Sequence, residues 1–183
     1  MAKFTDLNYV IQFSKDNALL ILLFTLWAIK TYSNVVTPIT EVEGSLVQSI
    51  KTMDDWNSKV EKSMAEGKLV VCDFYANWCP PCRTASPIFA EMSIAYKGKP
   101  IVFWKVNVDD VPAVASNQNV SSLPLFRIFG KGVGSAGNPT MVELKSQVGW
   151  AGHEKFKTFL DEQLFFFQNK QKALDDSTSK KDK

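Results

Sequence analysis

Residues 68–82 read KLVVCDFYANWCPPC, and this stretch decides the fold. Its first nine residues are a continuous apolar run broken by one acid, Asp73. Such a run suits a central strand covered on both faces. The pattern then changes abruptly at Asn77, and Cys79-Pro80-Pro81-Cys82 stands where a helix starts. Pro81 falls in the first turn, where a missing N–H costs nothing. The expectation is a buried strand that ends beside a pair of cysteines carried at the start of a helix.

Working outward, the chain alternates. Residues 45–50 read as a short first strand. Thr52 is placed to cap a helix, with Asp55 three residues on closing a capping box. Trp56, Val60 and Met64 then repeat on one helical face, and Gly67 ends the helix. Beyond the cysteines, 82–96 read as a helix kinked at Pro87, 101–108 as a strand and 110–118 as a short helix. Residues 125–129 and 141–148 read as a hairpin whose connection holds Gly130, Gly132, Gly134, Gly137 and Pro139, longer than a tight turn needs. Residues 152–167 form an amphipathic helix with Phe156, Phe159, Leu160, Leu164 and Phe167 on one stripe. A parallel crossover first and a hairpin last argue for an α/β protein with one mixed sheet sandwiched by helices.

The ends differ from this middle. We divide the chain into an N-terminal hydrophobic segment and linker (1–43), a compact domain (44–168) and a charged tail without fixed structure (169–183). Residues 17–29 are uncharged, about 20 Å as a helix, and extending the run to 36 encloses Lys30. Three readings compete for 17–36: a single membrane anchor, a cleaved signal peptide, and a helix packed on protein surface. The anchor is the first expectation, with Lys30 snorkelling beside Trp27 and Tyr32. Composition excludes other classes. Among 183 residues, 45% are hydrophobic and 22% charged, too apolar for a disordered chain. A net charge of +2 gives no field for nucleic acid. One histidine, His153, rules out a two-histidine metal site, and three cysteines rule out a disulfide scaffold.

The cysteine pair carries the chemistry. At a helix N-terminus the dipole and free backbone N–H groups stabilise an anion, which favours the thiolate of Cys79, and Arg83 adds positive charge. Two cysteines three apart in a first turn project to one side, close enough to bond with little backbone motion. A zinc site is the competing reading, but it needs two more ligands and only Cys72 and His153 remain. A purely structural disulfide closing so short a loop gains little. Redox use of the pair is the expectation.

VVCDFYANWCPPC, Pro87, KVNVDD at 105–110 and SSLP at 121–124, in that order, resemble the thioredoxin family, with the h-type thioredoxins nearest. The similarity covers about 44–167 and implies a three-layer sandwich, a mixed five-stranded sheet flanked by four helices. Pro80 departs from the Gly that most thioredoxins carry there, which bears on redox potential and partner choice. The resemblance implies that Cys79 attacks a partner disulfide and that Cys82 resolves the mixed disulfide. It implies that Asp73 is a buried acid exchanging a proton with Cys82, accompanied by Lys105. It makes Pro124 a cis-proline facing the pair, lets the backbone of Leu123 bind an extended substrate strand, and places Trp78 and Gly149 beside a shallow groove.

The remaining motifs read more plainly. Cys72 points to the opposite sheet face as a small hydrophobe, and His153 is a surface residue at a helix start. Asn119-Val120-Ser121 is a glycosylation sequon just before Pro124, where a glycan would obstruct the groove. The expected activity is reduction of protein disulfides by thiol–disulfide exchange, without metal or bound cofactor. Its partners are disulfide-containing proteins and a separate electron-donating reductase or glutathione. The domain is expected in the cytosol, tethered by the N-terminal segment, with soluble or secretory placement as alternatives. An oxidase or isomerase of folding proteins, and a binding module that uses the groove without turnover, are the rival functions.

Overall fold

The computed structural model describes residues 7–133 and 139–179. They fall into two units that divide between Pro38 and Ile39, five residues before the division expected at 43/44. The reason is that residues 39–47 pack on the second unit, where Ile39 lies against Ala76, Cys79 and Cys82.

The first unit holds helices α1 (Leu7–Asp16) and α2 (Ala18–Val36). The α2 side chains from Leu19 to Phe24, with Leu26, Trp27 and Ile29, are exposed on all sides of the helix. The membrane anchor expected over 17–36 is not supported, because among the described residues no helix is long and apolar enough to cross a membrane. Lys30 and the polar residues Thr31 and Ser33 interrupt the apolar run.

In the second unit the elements follow as β1 (Gln48–Ser49), α3 (Met53–Ala65), β2 (Leu69–Tyr75), α4 (Pro80–Ala95), β3 (Ile101–Asn107), α5 (Pro112–Asn117), β4 (Leu125–Val133), β5 (Pro139–Val148) and α6 (His153–Ser179). The sheet order is β1-β3-β2-β4-β5, with β1, β3 and β2 parallel and β4 and β5 antiparallel. β2 is the middle strand, as its apolar run requires. Its period of two assigns its faces. Leu69 and Val71 join Phe89 and Met92 of α4 and Phe156 and Leu160 of α6 in one core layer. Val70, Cys72 and Phe74 join Trp56 of α3 and Val114 of α5 in the other. The rings of Phe126 and Phe156 meet at 4.7 Å and weld sheet to α6. Asp73, odd-numbered like Leu69 and Val71, is thereby sent to the α4 side.

Local chemistry sets the ends. Thr52 Oγ1 accepts the Asp55 N–H at 3.0 Å, and the Asp55 carboxylate accepts the Lys51 N–H at 2.9 Å, so the box closes one residue earlier than the usual form. We expect Thr52→Ala to cost about 1 kcal/mol, read as a Tm lower by roughly 2–4 °C. Gly67, at φ +60°, ends α3 with its N–H on Met64 O and the Lys68 N–H on Ser63 O.

Three expectations are corrected. α4 begins at Pro80 rather than at Cys82, because both prolines have φ fixed for the first turn. β4 runs through Gly130 and Gly132 instead of stopping at Phe129. A Cβ on Gly130 would stand 2.9 Å from Leu144 Cδ1, and one on Gly132 2.6 Å from Val142 Cγ2, so these glycines serve cross-strand packing rather than a loop. Gly134 and Gly137 lie outside the described residues. The tail expected without fixed structure from 169 instead continues α6 to Ser179, since no Pro or Gly follows Gly152 and QNKQKAL at 168–174 is rich in helix formers.

Candidate active site

The strand–helix junction holds both cysteines. Cys79 is the N-cap of α4, with φ −87° and ψ 108°. Pro80 and Pro81 have no N–H, so the first donor of the helix is Cys82 N–H, and it points at Cys79 Sγ at 3.3 Å. The electrostatic help expected from several free N–H groups is thus concentrated in one. Cys79 and Cys82 are joined as a disulfide with Cα atoms 5.3 Å apart. The Arg83 guanidinium donates to Asn77 O at 3.0 Å and braces the loop that enters the helix.

A shallow cavity of about 370 Å³ opens beside the pair. Trp78, Cys79, Pro80, Pro81, Val108 and Leu123 line it, together with Val120–Ser122. Cys79 is 3% exposed and belongs to this lining, whereas Cys82 is fully buried and does not. Trp78 is 53% exposed, and its indole N–H donates to Asp109 Oδ2 at 2.8 Å, which fixes the ring beside the sulfur. The Leu123–Pro124 peptide is cis. Leu123 reaches the cavity, but Pro124 and Gly149 do not line it. Gly149, at φ +78°, donates its N–H to Pro124 O at 2.8 Å and so braces the wall from behind.

Asp73 is buried in β2, with no hydrogen-bond partner for Oδ1 among the described residues. Burial pushes its carboxyl up to about 8, against the opposing pull of Lys105. Lys105 is its register partner on β3. Both border a crevice with Ser86, one helical turn beyond Cys82 on α4. Cys72 is on the other face, its thiol held well above the ordinary range first by burial and then by Asp73. His153 opens α6 with Nδ1 2.9 Å from Glu154 Oε1. Neither converges on the pair, and among the described residues no three His, Cys, Asp or Glu side chains gather as a metal site would.

The sequence reading missed three contributors. Asp109 was visible in the KVNVDD motif, but its bond to Trp78 spans 31 residues and has no local sign. Asn119 has φ 51°, and the sequon's Val120 and Ser121 turn out to form the groove wall itself. Glu41 pairs with Lys105 from the segment before β1, which the sequence pattern marks only as linker.

Known proteins resemble this arrangement. Residues 47–160 match the family model described as Thioredoxin. Over 90 residues the chain is 42% identical to Thioredoxin H5 of Arabidopsis thaliana, covering 49% of this chain and 74% of that protein. Over 81 residues it is 44% identical to a thioredoxin H-type of Brassica campestris, covering 44% and 63%. Among solved structures it is similar to thioredoxin NaTrxh from Nicotiana alata, at 27% identity and a TM-score of 0.55 over 67% of this chain and 96% of that one. It is also similar to reduced Schistosoma mansoni thioredoxin, at 31% identity and a TM-score of 0.51 over 64% and 98%.

Proposed function

The chain belongs to the thioredoxin family of thiol–disulfide oxidoreductases, and from that premise we propose that it works as a protein-disulfide reductase, with Cys79 as nucleophile and Cys82 as resolving thiol. The carrying observation is the asymmetry of the pair: only Cys79 reaches the cavity. In the reduced protein the Cys79 thiolate attacks one sulfur of a partner disulfide. A Cys79–partner S–S bond forms and the other partner sulfur leaves as thiolate. Cys82 then gives up its proton and attacks Cys79 Sγ. The second partner sulfur departs, and the Cys79–Cys82 bond closes. Two electrons pass from this chain to the partner, and a separate reductase or glutathione returns them.

Ionised Asp73 takes the Cys82 proton. A carboxyl pushed up to about 8 ionises over the range in which a thiol must be deprotonated, which suits it to exchange that proton near neutral pH. Trp78, the backbone of Leu123 and the wall at Val120–Ser122 receive an extended partner segment, with Pro124 and Gly149 holding that wall. The reading belongs to a reducing compartment such as the cytosol, because a glycan on Asn119 would stand at the groove wall. No membrane tether is part of it.

The test is insulin disulfide reduction by the purified chain with a dithiol reductant, together with its equilibrium potential. A reductase is expected near roughly −270 mV, whereas a value near about −180 mV would favour the isomerase reading. A groove that binds partners equally well after loss of both cysteines would favour the binding module.

A further inference from the structure

Residues 39–47 are a strap laid across the buried side of the site, and most of it precedes the family match that begins at residue 47. Ile39, Glu41 and Leu46 each bond outward and hold the strap down. The Ile39 N–H donates to Asn77 Oδ1 at 3.4 Å, beside Trp78. The Leu46 N–H donates to Ser93 Oγ of α4 at 2.9 Å. Between them Gly44, at φ +75°, allows the turn in which the Ser45 N–H reaches Val42 O at 3.1 Å. This turn brings the Glu41 carboxylate onto Lys105 Nζ. Thr40, Glu41, Val42, Ser45 and Val47 roof a narrow crevice, floored by Asp73 and Lys105, that has room for about one water molecule.

Among the described residues, Lys105 is the one cation that acts on Asp73. From β4 it faces apolar Phe126, its register partner. From α4 come Ser86, Phe89 and Ala90, with Cys82 one turn earlier. On its own strand are Cys72 and Tyr75, neither ionised near neutral pH, since burial raises both. Lys105 therefore has two carboxylates to choose between, Asp73 below and Glu41 above. Its bond goes to Glu41, and Asp73 Oδ1 is left without a partner.

We propose that Glu41 is a positioning residue for the buried acid: by engaging Lys105 from the strap it limits the support that this ammonium gives to ionised Asp73, and so sets the pH range of the resolving step. The proposal rests on the reading of Asp73 as proton acceptor for Cys82. Lys105 is 15% exposed, so its field on Asp73 is poorly screened, while Glu41, 65% exposed, is the accessible end of the relay.

The experiment is Glu41→Gln in the full chain. The neutral amide releases Lys105 toward Asp73, and that change favours ionised Asp73; the direct charge of Glu41, 65% exposed, is screened by solvent. The rising limb of the rate–pH profile for insulin reduction is expected to move to lower pH by on the order of half a unit or more. The Asp73 carboxyl carbon resonance of the reduced protein, titrated by ¹³C NMR, is expected to move in the same direction by the same amount. In a Lys105→Gln background, Glu41→Gln is expected to shift neither. Superimposed profiles, an upward shift, or a shift that persists without Lys105 would each overturn the proposal. If the parent lacks insulin reduction, the functional reading falls, yet the NMR titration still decides the role of Glu41.

Discussion

Cys79→Ser is expected to abolish disulfide reduction, with turnover of insulin falling by on the order of a thousandfold or more. A serine hydroxyl at the N-cap still accepts the Cys82 N–H, so the helix start survives, but it does not attack disulfide sulfur at neutral pH. Cys82→Ser is expected to lose steady turnover equally but to fail one step later. Cys79 can still strike, no second thiol follows, and the chain accumulates as a covalent mixed disulfide with its partner. A non-reducing gel distinguishes the two: discrete higher bands for Cys82→Ser that collapse with reductant, and none for Cys79→Ser. Loss of fold does not explain either result, because a bond closing this short loop restricts the unfolded chain by only about 2 kcal/mol, and the reduced parent is the proper reference. Bands from Cys79→Ser and none from Cys82→Ser would exchange the two roles and remove the cavity asymmetry as their basis.

The same residues show what the sequence makes legible. The apolar run around Asp73 identifies a strand buried on both faces, and strand periodicity alone sends Asp73 and Cys72 to opposite sides. The pair at the helix start is likewise local, since two prolines and two cysteines sit in consecutive positions. The tertiary relations of the site are not local. Glu41 meets Lys105 across 64 residues, and Trp78 meets Asp109 across 31. No pattern in either segment announces its partner, because the meeting depends on where the β2–β3 crossover and the strap bring the chain back. Gly130 and Gly132 mislead for a related reason. Their composition reads as a loop, whereas their cause is the bulk of Leu144 and Val142 on the neighbouring strand. α6 misleads in the other direction, since a charged end was read as unstructured although its backbone propensities favour continuation of the helix.

Asp73→Asn is expected to gain stability over the parent as pH rises and to lose activity, and both effects depend on pH. In the unfolded chain the carboxyl titrates near 4, whereas burial raises it to about 8 in the fold. Between these values the native state holds a proton that the unfolded chain has released. Unfolding therefore releases a proton, and the contribution of this group to stability declines as pH rises from about 4 to about 8, then levels off. Asn carries no such proton and escapes the decline. Relative to the parent, the variant should gain about 3–4 kcal/mol on going from pH 5 to pH 8.5, an order-of-magnitude figure that corresponds to a Tm difference widening by roughly 10 °C. The buried amide also needs a partner where Oδ1 now lacks one, but that cost is the same at both pH values and cancels from the comparison. Activity moves the opposite way. With no carboxylate to take the Cys82 proton, resolution of the mixed disulfide is expected to slow by on the order of a hundredfold at pH 7 and to recover partly at alkaline pH, where solvent deprotonates the thiol. Thermal melts at the two pH values and stopped-flow release of partner thiol are the measurements. An equal Tm gain at pH 5 and pH 8.5 would show that Asp73 does not titrate between them, and an unchanged rate of resolution would show that Cys82 loses its proton by another route.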